Sequence, residues 1–220
     1  AASVPSWRWL VDVAMRCTRI GNSSMTFEGA IFRGDDLLIT CELVYVFADP
    51  ATQTSRPVPP ALRAVLMGYE AGEAMLELKT GSWQQLGADA SRVRTEVFVQ
   101  EQRIPMDMEW DEADQTAVHA VAYNRLGQAV ATGRLLAAGA GQARIGRMAV
   151  HRVLRGTGLG RQVLQTLAAR ASERGDHELV LHAQQSAQDF YRRLGFTARG
   201  EPFEEVNIPH VEMFTVLPKT

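Results

Sequence analysis

The strongest constraint on this chain is Arg155-Gly156-Thr157-Gly158-Leu159-Gly160, set between an apolar stretch and an amphipathic one. Ala143 to Val150 reads as a strand, and Leu159 to about Arg174 reads as a helix stopped by Gly175. Glycines at this junction let backbone N–H groups turn toward a pyrophosphate without Cβ obstruction. The following helix adds its free N-terminal N–H groups and positive dipole end. Arg155 and Arg161 supply charge-assisted contacts to phosphate oxygens. A dinucleotide-binding reading needs Gly-x-Gly-x-x-Gly after an early strand, and a Walker loop needs Gly-Lys-Ser/Thr; both patterns are missing. On its own the loop is equally a glycine-rich start to a helix with no ligand, so its surroundings must decide.

Those surroundings alternate strand and helix. A strand is expected near Met75–Leu78, a helix from about Ser82 to Glu101, and strands at 117–123 and 129–136. Further on come a strand at 178–182, a helix at about 186–194, and a strand pair around Phe203 and Val211–Leu217. Leu86, Ala90, Val93 and Val97 recur at helical spacing and predict one buried face. This pattern predicts an α/β layer fold for residues 75–220.

Residues 1–74 differ in texture. Strand-like runs span Leu10–Ile20, Ser24–Phe32 and Leu37–Phe47, with turns at Gly21-Asn22-Ser23 and Gly34-Asp35-Asp36. Val11, Val13 and Met15, and then Leu43, Val44 and Val46, predict half-buried antiparallel strands. A Pro-rich passage, Pro50–Pro60, leads to a short helix at 61–69, and Gly68–Glu73 reads as the seam between two domains.

A net charge of -2 over 220 residues excludes the strong basic excess of a phosphate-backbone binder. Cys17 and Cys41 are too few for a disulfide framework or zinc site, and both are expected to behave as small buried hydrophobes. No metal site, signal peptide or membrane span is read from the sequence, so a cytoplasmic protein is the default.

Ile145-Gly146-Arg147-Met148-Ala149-Val150, the Arg-x-x-Gly-x-Gly loop, and Ala187-Gln188-Asp189-Phe190-Tyr191-Arg192-Arg193-Leu194-Gly195-Phe196 together resemble the GCN5-related N-acetyltransferase (GNAT) superfamily. Val97-Phe98-Val99-Gln100-Glu101-Gln102 and Glu205-Val206-Asn207-Ile208-Pro209-His210 are similar to its ElaA-like branch, apart from Asn207 where glycine is expected. The resemblance covers about residues 81–213. It implies a centrally splayed mixed sheet flanked by helices, with acetyl-CoA as co-substrate and an amine as acceptor. It further implies that Met148, Ala149 and Val150 contact the cofactor arm, with the Met148 N–H polarising the acetyl carbonyl. Gly156, Thr157, Gly158, Leu159, Gly160 and Arg161, with Arg155, would hold the pyrophosphate. Gln184 stands where the superfamily often contacts the cofactor, and Tyr191 is the implied general acid. Alternatively, Tyr191 packs with Phe190 and Phe196 as core. Glu101, Glu109, Asp111, His119 and His210 are candidates for the acceptor end or the general base. The ordinary readings stay open beside these: a helix-end charge, a solvated acidic turn at Asp111 and Asp114, a strand-edge histidine.

Residues 9–67 resemble the second half of a hot-dog thioesterase of the hydroxybenzoyl-CoA type, on Val13–Phe27, Val44–Pro50 and Pro57-Val58-Pro59-Pro60. The family's central helix and its acidic residue have no counterpart before Trp7. Half a hot-dog fold leaves sheet surface uncovered, which predicts a homodimer through this segment. The competing functional reading is an acyl-CoA thioesterase or acyl-CoA-sensing module in that segment.

Overall fold

The computed structural model describes residues 10–218. The expected start of the first strand run at Trp9, and Lys219, lie outside the described residues. The chain divides into two compact units, with the division after Met75.

The first unit is a three-stranded antiparallel sheet, β1 (Asp12–Ile20), β2 (Ser24–Arg33) and β3 (Asp36–Val46), in that spatial order. It is followed by α1 (Pro60–Glu70), which has a proline at its first turn. Helix α1 packs on β1: Arg63 Nη1 and Nη2 donate to the Ile20 and Gly21 carbonyls at 3.0 and 2.6 Å, and Glu70 Oε1 accepts from the Cys17 N–H at 2.6 Å. Met25 and Val58 are buried.

The expectation of half-buried strands is corrected here. All eleven residues of β3 are exposed, Val13 is 74% exposed, and Val44 is 61% exposed. Alternation correctly identifies strands but assumes a second layer, and α1 covers only part of β1. The cysteine expectation falls for the same reason, since Cys41 is exposed and Cys17 only half-buried.

The second unit is a seven-stranded mixed sheet. Its strands are β4 (Leu76–Gly81), β5 (Val118–Asn124), β6 (Ala129–Gly139), β7 (Gln142–Val150), β8 (Glu178–Gln184), β9 (Thr197–Glu205) and β10 (Ile208–Val216). The spatial order is β4-β5-β6-β7-β8-β10-β9, and β7–β8 is the parallel pair in an otherwise antiparallel sheet. The expected mixed, helix-flanked α/β fold is what forms.

Two helices supply the layers. On one face lies α4 (Leu159–Glu173), whose Leu159, Val163, Leu164, Leu167 and Ala171 are buried against Ala120, Ala131, Ile145, Leu179 and Leu181. Complete burial of one such leucine is worth about 1.5–3 kcal/mol. A second cluster joins α2 (Trp83–Arg94) to Val121, Ala129 and Ala149, and contains the expected stripe Leu86, Ala90, Val93 and Val97. The helix does not run unbroken to Glu101. Residues Thr95–Glu101 wind as a π-helix, with the Gln102 N–H reaching the Val97 carbonyl at 3.1 Å. Such wide turns cluster at functional sites. Short helices α3 (Met106–Glu109) and α5 (Gln188–Arg192) complete the unit.

Candidate active site

Strands β7 and β8 pair only through Gln142–Arg144 and Glu178–Val180. Beyond that they part, so the β8-facing backbone groups of β7 from Ile145 onward have no ladder partner in the middle of a sheet. Such groups are obligatory hydrogen-bonding groups and require another partner. A cleft of about 740 Å³ opens there, lined by Ile145–Val150 on one side and Leu181, His182 and Gln184 on the other. Its volume falls in the range of small-molecule sites.

Strand β7 carries a bulge at the same place. Thr132 pairs with Ala149 and Arg134 with Gly146, so Arg147 and Met148 together oppose Gly133. Arg147 takes φ +51°, uncommon for a non-glycine residue. The bulge redirects the backbone at Met148, the residue whose N–H the family resemblance implies as polarising the acetyl carbonyl. The bulge itself was not legible in the sequence.

The glycine loop closes one end of the cleft. Gly156 and Gly158 adopt φ +83° and +87°, and a Cβ on either would meet no atom within 4 Å. They are glycines for backbone conformation, with Gly158 capping α4. Arg155, Gly156, Gly158, Gly160 and Arg161 line the cleft. The side chains of Thr157 and Leu159 do not: Thr157 Oγ1 donates to the Leu154 carbonyl at 2.7 Å, and Leu159 is 1% exposed in the core. Any contact they make to phosphate is left to their backbone.

Arg155 is already engaged. Its guanidinium grips both oxygens of Glu101 at 2.6 and 2.7 Å, and its Nε donates to the Val150 carbonyl at 3.1 Å. This hydrogen-bonded guanidinium holds the Glu101 carboxyl below the usual range. Glu101 thus braces the loop and is not among the residues of the cleft wall.

Asp111 and His119 also lie outside the cleft lining. Asp111 is bound by Arg134 at 2.6 and 2.7 Å, which holds its carboxyl low, and by Arg147 at 3.2 Å. His119 is neither at a sheet edge nor in the cleft. It sits on β5 between β4 and β6, 1% exposed, with Nε2 donating to the Asp114 carbonyl at 2.9 Å and burial pushing its pKa down. The acidic turn is solvated only in part: Asp111 is exposed, whereas Asp114 is 2% exposed.

These residues belong to a buried ionic cluster. Arg94 donates to Glu109 Oε1 at 2.6 Å, to the Glu109 carbonyl at 2.7 Å and to Asp114 Oδ1 at 2.8 Å, while lying over Trp110 at 4.4 Å. Arg134 reaches the same Asp114 oxygen at 2.8 Å. Glu109, Arg134 and Arg147 carry the cluster into the cleft wall. Burial drives the Glu109 carboxyl up, against the pull of Arg94, Arg147 and Arg134.

Gln184, Tyr191 and His210 all line the cleft. Gln184 Nε2 donates to Gln102 Oε1 at 3.1 Å. Tyr191 packs edge-on to Phe190 and Phe196, at centroid distances of 4.9 and 5.9 Å, so it is core and cleft wall together. Burial pushes its hydroxyl up to about 12, which keeps it protonated. His210 stacks on Phe203 at 6.0 Å and donates from Nδ1 to the Ile208 carbonyl at 2.7 Å. The turn before it is a two-residue hairpin, Val206-Asn207, with φ +53° and +58°. Asn207 tolerates the left-handed conformation expected of glycine at that point. In the sequence Glu205 stands out only as the first residue of the hairpin motif, and His182 only as the end of a strand. The available signal was period-two alternation, which puts His182 on the face shared with Gln184.

The family model described as an acetyltransferase (GNAT) domain matches residues 84–217. An uncharacterized N-acetyltransferase of Bacillus subtilis (strain 168), YjcF, is 33% identical over 126 residues, covering 57% of this chain and 89% of that protein. The crystal structure of an acyl-CoA N-acyltransferase from Pseudomonas aeruginosa is 36% identical with TM-score 0.56, covering 63% of this chain and 98% of the other. That of Escherichia coli ElaA is 29% identical with TM-score 0.57, covering 64% of this chain and 99% of the other.

Proposed function

We propose that this chain, which belongs to the GNAT acetyltransferase family, transfers an acetyl group from acetyl-CoA directly to the amine of an acceptor. The observation that carries this reading is the gap between β7 and β8, which runs into the glycine loop and has Tyr191 in its wall. A pantetheine arm fits such a gap as an added strand, taking the unpaired groups of Met148 and Val150. The loop from Arg155 to Arg161 then meets the pyrophosphate, with Gln184 beside the arm. The Met148 N–H stabilises charge on the acetyl oxygen, and Tyr191 protonates the departing thiolate. A phenol at about 12 is a weaker acid than a thiol in water, and the same desolvation raises the basicity of the departing thiolate, which offsets the difference.

The test is thiol release from acetyl-CoA with and without amines. Tyr191→Phe is expected to lower kcat by about 10²-fold while leaving acetyl-CoA binding intact. Unchanged turnover removes the acid role from Tyr191, and release independent of any amine points to hydrolysis instead.

We further infer a homodimer through residues 1–74, read as a partial hot-dog segment of a cytoplasmic protein. Supporting this is the exposed apolar surface of β3, where Ile39 is 56% and Val46 58% exposed. Sedimentation at micromolar concentration should give twice the monomer mass; a monomer overturns the inference. Among the described residues no helix is long and apolar enough to cross a membrane.

A further inference from the structure

We infer that His182, oriented by Glu205, is the general base that takes the proton from the attacking amine; this rests on the transfer reading above. Amine transfer requires a proton acceptor, and the cleft offers few groups in the right state. Glu101, Asp111 and His119 are held outside it, as described. Glu109 lines the wall but is committed to Arg94 at 2.6 Å and faces Arg147 at 3.4 Å. The His210 ring is stacked on Phe203 and only 9% exposed.

His182 is placed differently. Extending the β7–β8 register past its last pair, Arg144 with Val180, sets His182 opposite Gly146 across the gap. That is the approach to the bulge at Arg147 and Met148. Its Nδ1 lies 3.3 Å from Glu205 Oε2. An ionised carboxylate can only accept, so Nδ1 carries a hydrogen, and in the neutral ring the lone pair is on Nε2. Nε2 is 4.0 Å from Glu212 Oε2 and makes no hydrogen bond among the described residues. The ring is further fixed edge-on to Phe203 at 4.8 Å.

The charged groups around this pair come from three strands. Glu205 ends β9, Glu212 and His210 lie on β10, and Arg147 on β7 acts on Glu205 through space. Arg199 neutralises Glu212 by donating to its other oxygen at 2.7 Å. Glu205 is therefore the carboxylate available to the imidazole, and its contact with His182 holds its own carboxyl low. Val206, next in the chain, is β-branched at φ +53°, a conformation that costs energy and is kept where the turn positions its neighbour.

The step balances without another reagent. The amine nitrogen forms the C–N bond, the C–S bond breaks with its electron pair going to sulfur, the ammonium proton passes to His182 Nε2, and Tyr191 protonates sulfur. Water then carries the proton from His182 back to the tyrosinate.

The experiment uses the full chain with acetyl-CoA and tyramine, spermidine or kanamycin as acceptor, following kcat/KM against pH. His182→Gln is expected to lower kcat/KM by about 10²–10⁴-fold, to abolish the acid limb, and to leave acetyl-CoA affinity within about twofold. Glu205→Gln should keep the acid limb and lower kcat/KM less than His182→Gln does, because it removes the group that orients the ring and not the ring itself. An acid limb that persists unchanged in His182→Gln overturns the proposal, since a purely structural role lowers turnover equally at every pH. If the wild type acetylates none of the three amines, the transfer reading is what fails for them. Nuclear magnetic resonance of the His182 ring then decides separately: an Nδ1–H tautomer upholds the pair, and an Nε2–H tautomer overturns it.

Discussion

Replacing Arg94 by methionine isolates the buried ionic cluster. Methionine keeps an unbranched apolar stem against Trp83 and Trp110 but removes the charge. Three charge-assisted bonds disappear, to Glu109 Oε1, the Glu109 carbonyl and Asp114 Oδ1. Glu109 is left with Arg147 at 3.4 Å, and Asp114, whose Oδ2 already lacks a partner, is left with Arg134. Removing one partner of a buried ion pair costs about 3–5 kcal/mol, because a charge stays behind out of water. The second unit runs from Leu76 to Thr220 (220 − 75 = 145 residues). At about 2.1 cal/mol/K per residue its unfolding entropy is about 0.3 kcal/mol/K, so Tm should fall by about 10–16 °C. Thermal melting followed by circular dichroism reads this directly. Adding Asp114→Asn to Arg94→Met should recover about 3 °C, since one stranded charge is then gone. A Tm drop below about 3 °C for Arg94→Met, or no recovery in the double variant, would refute the idea that stranded charge sets the cost.

Two further outcomes follow from packing and protonation. A Cβ at Gly133 would meet Met148 Sδ at 2.5 Å, Leu167 Cδ1 at 3.0 Å and Val163 Cγ1 at 3.1 Å. Gly133→Ala should cost about 1–3 kcal/mol and, by displacing Met148 at the bulge, lower kcat/KM for acetyl-CoA about tenfold; a variant with both values unchanged would show that the bulge has slack. Burial lowers the His119 pKa in the folded state, so between that value and about 6.5 the unfolded chain binds a proton that the folded chain does not. Stability therefore falls as pH drops below about 6.5, whereas Asp111, whose pKa is lowered, loses its contribution only as pH falls from about 3.8 through its folded value. Urea midpoints at about pH 7.5 and 5.5 should differ in the wild type and converge in His119→Gln; an equal difference in both would reject His119 as the source.

Some of this molecule is written locally in its residues. The loop glycines announce themselves because only glycine takes φ +83° and +87° without strain, and the buried stripe of α2 follows from helical period. The turn residues divide β1, β2 and β3 correctly, but alternation could not say whether a second layer covers them, and for β3 none does. What the sequence by itself determined is thus the order of elements, the glycine loop and the position of Tyr191. What only the tertiary structure decided is which groups meet across the sheet. The parting of β7 from β8, the bulge at Arg147, the enclosure of Asp114 and His119, and the pairing of His182 with Glu205 over 23 residues all depend on strand register. Register is a property of two strands at once. A periodic pattern in one strand tells which way a side chain points, and the partner strand decides what it finds there.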